Sequence, residues 1–209
     1  MLAWHFLPEG RRLRWGTSEE VKPGQKLTVE PPLRMCYHGL HASVRAIDAI
    51  RYAPGPIVCR VELSGEIIED RDKVCATERT CLWMADATRT LHEFAIWCAE
   101  GALNGERKAG REPDPKSWAA IQAKRDWLDG KITDDQMDDA RDAAEAADRA
   151  AAWTAAVAAA WTASRAASRT AAEATARAAS RAAARTAAEA VAFAKQNQKL
   201  TDMLFTLML

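Results

Sequence analysis

The sequence predicts an α+β protein, in which a small mixed strand and helix N-terminal domain is followed by a long Ala-rich α-helical C-terminal region. Two observations support this prediction. Six of the ten glycines and six of the eight prolines lie before residue 85, between short runs typical of strands. From Thr133 to the end of the chain there is neither glycine nor proline, and alanine, the best helix former, fills 30 of the 55 positions from 140 to 194.

Residues 1–100 are the predicted α+β head domain. Five runs have the β-branched or aromatic content, or the alternation, that is typical of strands: LAWHFL, RLRWGT, KLTVE, PIVCRVEL and EIIED. The LSGE turn between the last two predicts a hairpin. Two helices are expected to pack on the sheet. One is HASVRAIDAIRYAPG, and the other is DATRTLHEFAIWCAEGAL, which is predicted to be capped by Asp86 and to end near Gly101.

The remainder of the chain is predicted to be a linker and a helical region. Residues 101–115, GALNGERKAGREPDP, are rich in glycine, proline and charge, which is typical of a linker. The helical region, 116–209, is expected to contain a short helix over 116–129, a long helix over about 134–194 and an apolar segment over 200–209. If the long helix is continuous, it is about 90 Å long at a rise of 1.5 Å per residue.

A charged or bulky side chain recurs every four residues along the long helix, from Arg141 to Glu189. Four residues turn a helix by about 400°, so this line drifts by about 40° per step and does not form a heptad zipper. It still places three apolar side chains within an arc of about 80° at mid-length. These side chains and the terminal apolar stripe are too much surface to leave in water. The predicted interface residues are Trp153, Val157, Trp161, Leu200, Met203, Leu204 and Leu207.

The charges of the long helix are polarised. Residues 134–148 carry seven acidic groups and one arginine, whereas residues 165–185 carry five arginines and one glutamate. Two copies that lie antiparallel would place the acidic half against the basic half, with the tryptophan patches crossing near Val157. The sequence therefore predicts a homo-oligomer, either an antiparallel helical dimer or a four-helix arrangement.

The densest cluster of chemically active side chains is CYHGLHAS. Its CxHxxH pattern offers three zinc ligands but matches no common zinc module, so no metal or cofactor is predicted. A Cys–His nucleophile pair here lacks an orienting partner. His-Gly after an aromatic residue is similar to the entrance of ADP-ribosyltransferase NAD pockets, where a downstream glutamate such as Glu62 or Glu66 would be needed. The sequence favours a structural turn and leaves an enzyme as an alternative, with the candidate residues Tyr37, His38 and His41.

Nucleic-acid binding through the basic half of the long helix is a further alternative. The drifting period spreads its arginines around the helix, and no aromatic residue lies among them to stack on bases. Binding to nucleic acid is therefore not favoured. The arginines concerned are Arg165, Arg169, Arg177, Arg181 and Arg185.

The totals of charge and cysteine exclude other classes of protein. The 29 basic and 29 acidic residues cancel, so no net field attracts the chain to nucleic acid or to acidic lipid. The five cysteines are odd in number and form no CxxC pair, which predicts a reduced intracellular protein. No secretory signal is visible, and the least polar run of about 15 residues is shorter than the roughly 20 that span a bilayer. We therefore expect a cytoplasmic protein that does not enter a membrane.

The first hundred residues contain a series of motifs: YHGLHAS, followed by AIRYAPGPIVCRVELSGEIIEDRDKVCATERTCLWMADAT. In this order they resemble a family of small uncharacterised proteins of phages and prophages, which have a GLHAS-like turn, a YAPGP turn, a strand ending in SGEI and a DK…ATERT segment. The Ala-rich tail ending in QNQKLTDML is similar to the tails of some members. The resemblance implies no catalytic residue. It implies a phage accessory protein in a bacterial cytoplasm, a class that often binds host machinery.

From these observations we predict a non-enzymatic phage accessory protein. It is expected to self-associate through its long helix and to bind a host macromolecular partner. The context implied by the resemblance makes a bacterial defence system, such as a CRISPR effector, a candidate for that partner.

Overall fold

The computed structural model describes residues 1–13, 19–148 and 187–209. In these residues a five-stranded antiparallel sheet is combined with helices, and a C-terminal helix is present, which confirms the predicted α+β class. The helices among the described residues are all too short or too polar to span a membrane. The predicted interface residues Trp153, Val157 and Trp161 lie outside the described residues, as do the arginines considered for nucleic-acid binding, Arg165, Arg169, Arg177, Arg181 and Arg185.

The sheet has the strand order β1-β4-β5-β2, and β3 pairs with β5 beside β2. A pair of backbone hydrogen bonds between Trp4 and Ser43, of 2.8 and 2.9 Å, ties the end of β3 back to β1. The sheet is therefore curved, so that the end of β3 meets β1. Each of its two faces packs against a separate hydrophobic core. The strands are β1 Leu2–Leu7, β2 Lys26–Thr28, β3 Leu40–Ala42, β4 Ile57–Glu69 and β5 Val74–Asp86.

The predicted hairpin between PIVCRVEL and EIIED is wrong, because both runs belong to the single strand β4. The LSGE segment is a β-bulge: the register with β5 shifts between Ser64 and Ile67. Gly65 adopts a φ of +73°, and a Cβ there would lie 2.1 Å from Thr77 Oγ1. The Glu66 N–H donates to that same hydroxyl at 2.9 Å, so the bulge is held rather than frayed. The true hairpin connection follows β4, between Glu69 and Val74.

The helices are α1 Ala46–Ala49, which continues as a 3₁₀ turn over Ile50–Tyr52, α2 Thr88–Lys108, α3 Pro115–Leu128, α4 Asp134–Asp148 and α5 Ala187–Phe205, which ends in a 3₁₀ turn over Thr206–Met208. The predicted linker over 101–115 is too long, since α2 continues through its first half. Gly101 faces open space and does not stop the helix, while Leu103, 4 % exposed, anchors the added turns in the core.

The sequence predicts a helix start where Asp114 precedes Pro115 and another where Thr133 stands three residues before Gln136, and both are confirmed, at α3 and α4. The Asp114 carboxylate accepts from the Lys116 N–H at 2.7 Å, and Pro115 occupies the first helical position. Before α4, the Thr133 N–H donates to Gln136 Oε1 at 3.0 Å and the Gln136 N–H donates to Thr133 Oγ1 at 3.3 Å. This is the reciprocal pair of a capping box.

Alternation along the strands builds two cores. On the face covered by α1, α2 and α5, Trp4, Phe6 and Val58 pack against Leu91 and Phe94, and we call this the helix-side core. On the opposite face, covered by the segment that leads to β3, lies the loop-side core. Its buried members include Leu7, Val21, Cys59, Val61, Leu63, Val74 and Cys81.

Helix α5 closes the helix-side core. Leu200 and Leu204 are completely buried there, and the Phe205 ring meets the Trp4 ring edge to face at 5.2 Å. The remaining predicted stripe residues, Met203 and Leu207, are half-buried on the same core. The sequence predicts that the stripe is buried but does not say where, and the structure identifies the head as the surface that covers it.

The helices at the two described ends of the predicted long helix pack on the rest of the fold, α4 on α3 and α5 on the helix-side core. Asp129, just before α4, and Met203 in α5 line the same cleft. A straight helix over residues 134–194 would separate its ends by about 90 Å. Only its two ends, 134–148 and 187–194, are described, and the rest of that prediction lies outside the described residues.

A histidine in α2 gives the fold a testable pH dependence. His92 is 3 % exposed, its ring lies 5.1 Å from the Trp127 ring, and burial together with the Lys124 ammonium lowers its pKa to about 4 from the usual 6.5. Below pH 6.5 this imidazole is protonated in the unfolded chain but stays neutral in the folded chain. The free energy of unfolding therefore decreases as the pH falls from 6.5 toward 4.

When the pH is lowered from 7 to 4.5, we expect His92 to decrease the free energy of unfolding by about 2 to 3 kcal/mol. Urea unfolding of the wild-type protein and of His92→Gln at both pH values tests this. The free energy of unfolding should decrease by this much more in the wild-type protein than in the variant. Equal losses in the two proteins would contradict the assigned burial of a neutral imidazole.

Candidate functional site

The turn singled out by the sequence leads into β3 and is folded on its own backbone. The Arg34 N–H donates to the His38 carbonyl at 2.9 Å, and the His38 N–H donates to the Arg34 carbonyl at 2.8 Å. Gly39 follows at a φ of +129°, where a Cβ would lie 2.1 Å from Cys75 Sγ. Glycine is therefore required at this position both by backbone conformation and by the close approach of β5.

The two histidines of the turn use their ring nitrogens to hold it. His38 Nε2 lies 2.6 Å from the Glu30 carbonyl oxygen, and His41 Nε2 accepts from the Cys36 N–H at 3.0 Å. Burial lowers the pKa of His41, with Arg79 and Lys73 acting in the same direction against a bond to the Gly39 backbone. His41 is thus a neutral acceptor already engaged by the main chain, which favours a structural role for it.

The candidate residues of the turn do not converge on one point. The Tyr37 side chain is 78 % exposed and stacks with the Arg34 guanidinium at 4.5 Å, away from the backbone partners of the histidines. An ADP-ribosyltransferase-like pocket would need a downstream glutamate such as Glu62 or Glu66. Both are exposed on β4, and neither forms a side-chain hydrogen bond or ion pair with this turn among the described residues. Within the same residues no cluster of three histidine, cysteine or acidic side chains is placed to hold a metal ion.

An ion-pair network joins α1 to the β4–β5 hairpin beside the turn. Asp48 is 3 % exposed at its side chain and binds Arg45 Nε at 2.5 Å. Arg51 lies between two carboxylates, with its Nη1 at 3.1 Å from Asp72 Oδ2 and 3.8 Å from Asp48 Oδ1. The Tyr52 hydroxyl donates to the same Asp72 oxygen at 2.8 Å. The sequence alone suggests a solvated charged turn at EDRDK, but Asp72 in fact anchors that hairpin to α1.

A second polar cluster, which the sequence analysis missed, lies at the loop-side core around Arg79. Arg79 is 3 % exposed, donates from Nη1 to the His41 carbonyl at 2.6 Å, and is near the His5 ring, whose pKa is lowered by burial and by Arg79. Burial lowers the pKa of Arg79 to about 10. The available signal was the period of two in TERTC, which places Arg79 on the same face of β5 as buried Cys81.

Two buried thiols lie beside this guanidinium. A hydrogen bond between Cys59 and Cys81, followed by burial, raises the pKa of Cys59, whereas the same bond and the charge of Arg79 lower the pKa of Cys81. Both side chains are at most 3 % exposed. The arrangement fixes β3 against β1 and β5 from inside the sheet, and its burial leaves little access for a substrate.

An open cleft of about 420 Å³ lies between α2, α3 and α5. Its floor is apolar, formed by Ile96, Trp97, Leu128 and Met203. Ion pairs stand at its rim: Arg89 Nη2 lies 3.1 Å from Asp129 Oδ1, and Arg125 Nη1 lies 2.7 Å from Glu100 Oε1. An apolar floor with a charged rim suits contact with another protein surface, and of the predicted interface residues that the structure describes, Met203 lines this cleft.

In comparisons with known proteins, the part of the chain that gives a match lies within the head. A family model described as a domain of unknown function (DUF7666) matches residues 16–93. That span contains β2 to β5, the histidine turn, the Asp48 network and Arg79, and it ends within the first part of α2. No curated protein and no solved structure gives a significant match.

Proposed function

We propose that this protein is a non-enzymatic phage accessory protein of the bacterial cytoplasm, which self-associates through its alanine-rich helical region and binds a host macromolecular partner. The observation that carries the proposal is the return of α5 to the helix-side core. With α5 seated there, both helices that flank the alanine-rich segment 149–186 pack on folded parts of the protein, α4 on α3 and α5 on a helix-side core.

The first end is held through α3 and α4. Trp127 Nε1 donates to Asp134 Oδ1 at 2.6 Å, and Met137 is 7 % exposed. The second end is held by Leu200 and Leu204 in α5. Proteins often present a binding surface on a segment whose two ends are fixed by a packed scaffold. Because the scaffold already positions the segment, less conformational entropy is lost on binding.

The polar side chains of the head support binding rather than catalysis. His38 and His41 hold backbone groups, Asp48 and Asp72 are tied to arginines, and Arg79 is buried. A general acid or base needs a free nitrogen or oxygen within hydrogen-bond reach of substrate. The resemblance to phage proteins supplies the context of a host partner, with a defence system such as a CRISPR effector as the candidate.

Capture of host proteins from a bacterial lysate by the tagged full-length chain tests this proposal. We expect a specific partner to be retained by the wild-type protein and by Tyr37→Ala, and to be lost with the double variant Trp153→Ala, Trp161→Ala. Tyr37→Ala is the matched control, since it removes an exposed aromatic side chain from the head instead. A partner that is lost with Tyr37→Ala and kept by the tryptophan variant would contradict the proposal and direct attention to the turn.

A further inference from the structure

We propose that α5 is exchanged between two copies of this chain, so that α5 of each copy is seated in the helix-side core of the other. This inference rests on the proposed self-association and specifies how it is achieved. It makes the partner copy part of each head, because the helix-side core is incomplete without an α5.

Among the described residues, side chains of α5 contact parts of the chain that are distant in sequence. Asn197 Oδ1 accepts from the Ile47 N–H at 3.2 Å, which supplies α1 with a cap that its own Arg45 does not provide. The Arg60 guanidinium lies 4.7 Å from the Trp4 ring and 5.9 Å from the Phe205 ring. None of these contacts depends on whether α5 belongs to the same copy of the chain.

The connection that would return α5 to its own head has an unusual composition. Residues 149–186 contain no glycine, proline, asparagine or aspartate, four of the five residue types that dominate turns; the fifth, serine, occurs three times, and 20 of these 38 residues are alanine. The two preceding helix connections are different. Gly110 after α2 and Gly130 after α3 adopt φ values of +79° and +69°, and each lets the chain leave its helix.

If α5 returns to the head of its own chain, the chain must turn back within residues 149–186, although their composition favours a helix. A sequence that folds well has local preferences that agree with its overall fold. If residues 149–186 follow their helical propensity, they carry α5 roughly 60 Å from its own head, at 1.5 Å per residue. A second copy can offer the same seat at that distance, with no turn required.

The charge pattern specifies the direction of the second copy. Residues 134–148 carry seven acidic side chains, and residues 165–185 carry five arginines. An antiparallel arrangement brings these two blocks together and also brings each α5 to the opposite head. Exchange of an identical element between copies costs little, because the described contacts of α5 with the head are kept.

A photo-cross-linker at position 205 tests the exchange on the full-length chain. Phe205 is 41 % exposed, and its ring lies 5.2 Å from Trp4, so p-benzoyl-L-phenylalanine in its place fits the site and reacts with the head. After irradiation we expect a denaturing gel to show a species of twice the 22.9 kDa chain mass, with mass spectrometry mapping the link to β1 or β4. The same replacement at Val191, 71 % exposed on α5, is the control and should give little of this link.

Light scattering on the same samples separates the two proposals. A dimer whose cross-linked product migrates as a single chain would overturn the exchange and leave self-association standing. A monomer in solution would overturn both. A dimer whose cross-link joins two chains at position 205 supports both.

Discussion

Replacing either Leu200 or Leu204 by alanine is expected to lower the free energy of unfolding by about 2 to 5 kcal/mol, because each side chain is completely buried in the helix-side core. The loss combines the transfer of the leucine side chain with the cavity that it leaves. Chemical denaturation at one fixed protein concentration measures the effect, since self-association would make stability depend on concentration.

Val191→Ala is the matched control for these variants. Val191 lies on the same helix and is 71 % exposed, so its truncation is expected to change stability by less than about 0.5 kcal/mol. Leucine variants as stable as this control would show that α5 is not part of the core. That result would also remove the basis for holding the alanine-rich segment at both ends.

The double substitution Trp153→Ala, Trp161→Ala is expected to weaken self-association by about two to three orders of magnitude in Kd, since buried interface tryptophans each contribute roughly 2 kcal/mol or more. The two positions are eight residues apart, on one side of the predicted helix. Their expected effect rests on the sequence, because both lie outside the described residues.

The control for the tryptophan variant is Thr154→Ala with Thr162→Ala. Each threonine follows one of the tryptophans, about 100° around the predicted helix, and alanine preserves its helical propensity. Loss of self-association in the threonine variant, with none in the tryptophan variant, would place the contact on a different face.

Local signals in the sequence were sufficient where one segment determines its own structure. The Asp114 cap, the Thr133 and Gln136 capping box and the strands β1 and β2 followed from residue type and spacing. The same reasoning missed β5, because Thr77, Glu78, Arg79 and Thr80 make its centre polar. That centre is a strand only because β4 and β2 pair with it on both sides.

Glycine was the second source of error. Gly65 resembles a hairpin turn in sequence, but its positive φ serves a bulge within β4. Gly101 resembles a helix end, yet the buried Leu103 continues α2 beyond it. At Gly101 the packing of Leu103 outweighs the roughly 1 kcal/mol by which a glycine disfavours a helix, whereas at Gly65 glycine is favoured because the bulge requires a positive φ.

At the candidate site, local sequence signals likewise do not predict contacts between residues that are far apart in the chain. The sequence favoured a structural turn at Tyr37, His38 and His41, and the backbone partners of both histidines are consistent with that interpretation. Contacts such as Arg79 to the His41 carbonyl or Arg51 to Asp72 join residues 38 and 21 positions apart, and no spacing rule predicts them. Likewise, the apolar stripe of α5 indicated a buried face without identifying the surface that covers it.

We expect the head and α5 to assemble copies of this chain around the alanine-rich segment. Light scattering on the purified wild-type protein at micromolar concentration tests it most directly. We predict a mass of at least twice the 22.9 kDa of one chain. A mass of 22.9 kDa at that concentration would contradict self-association.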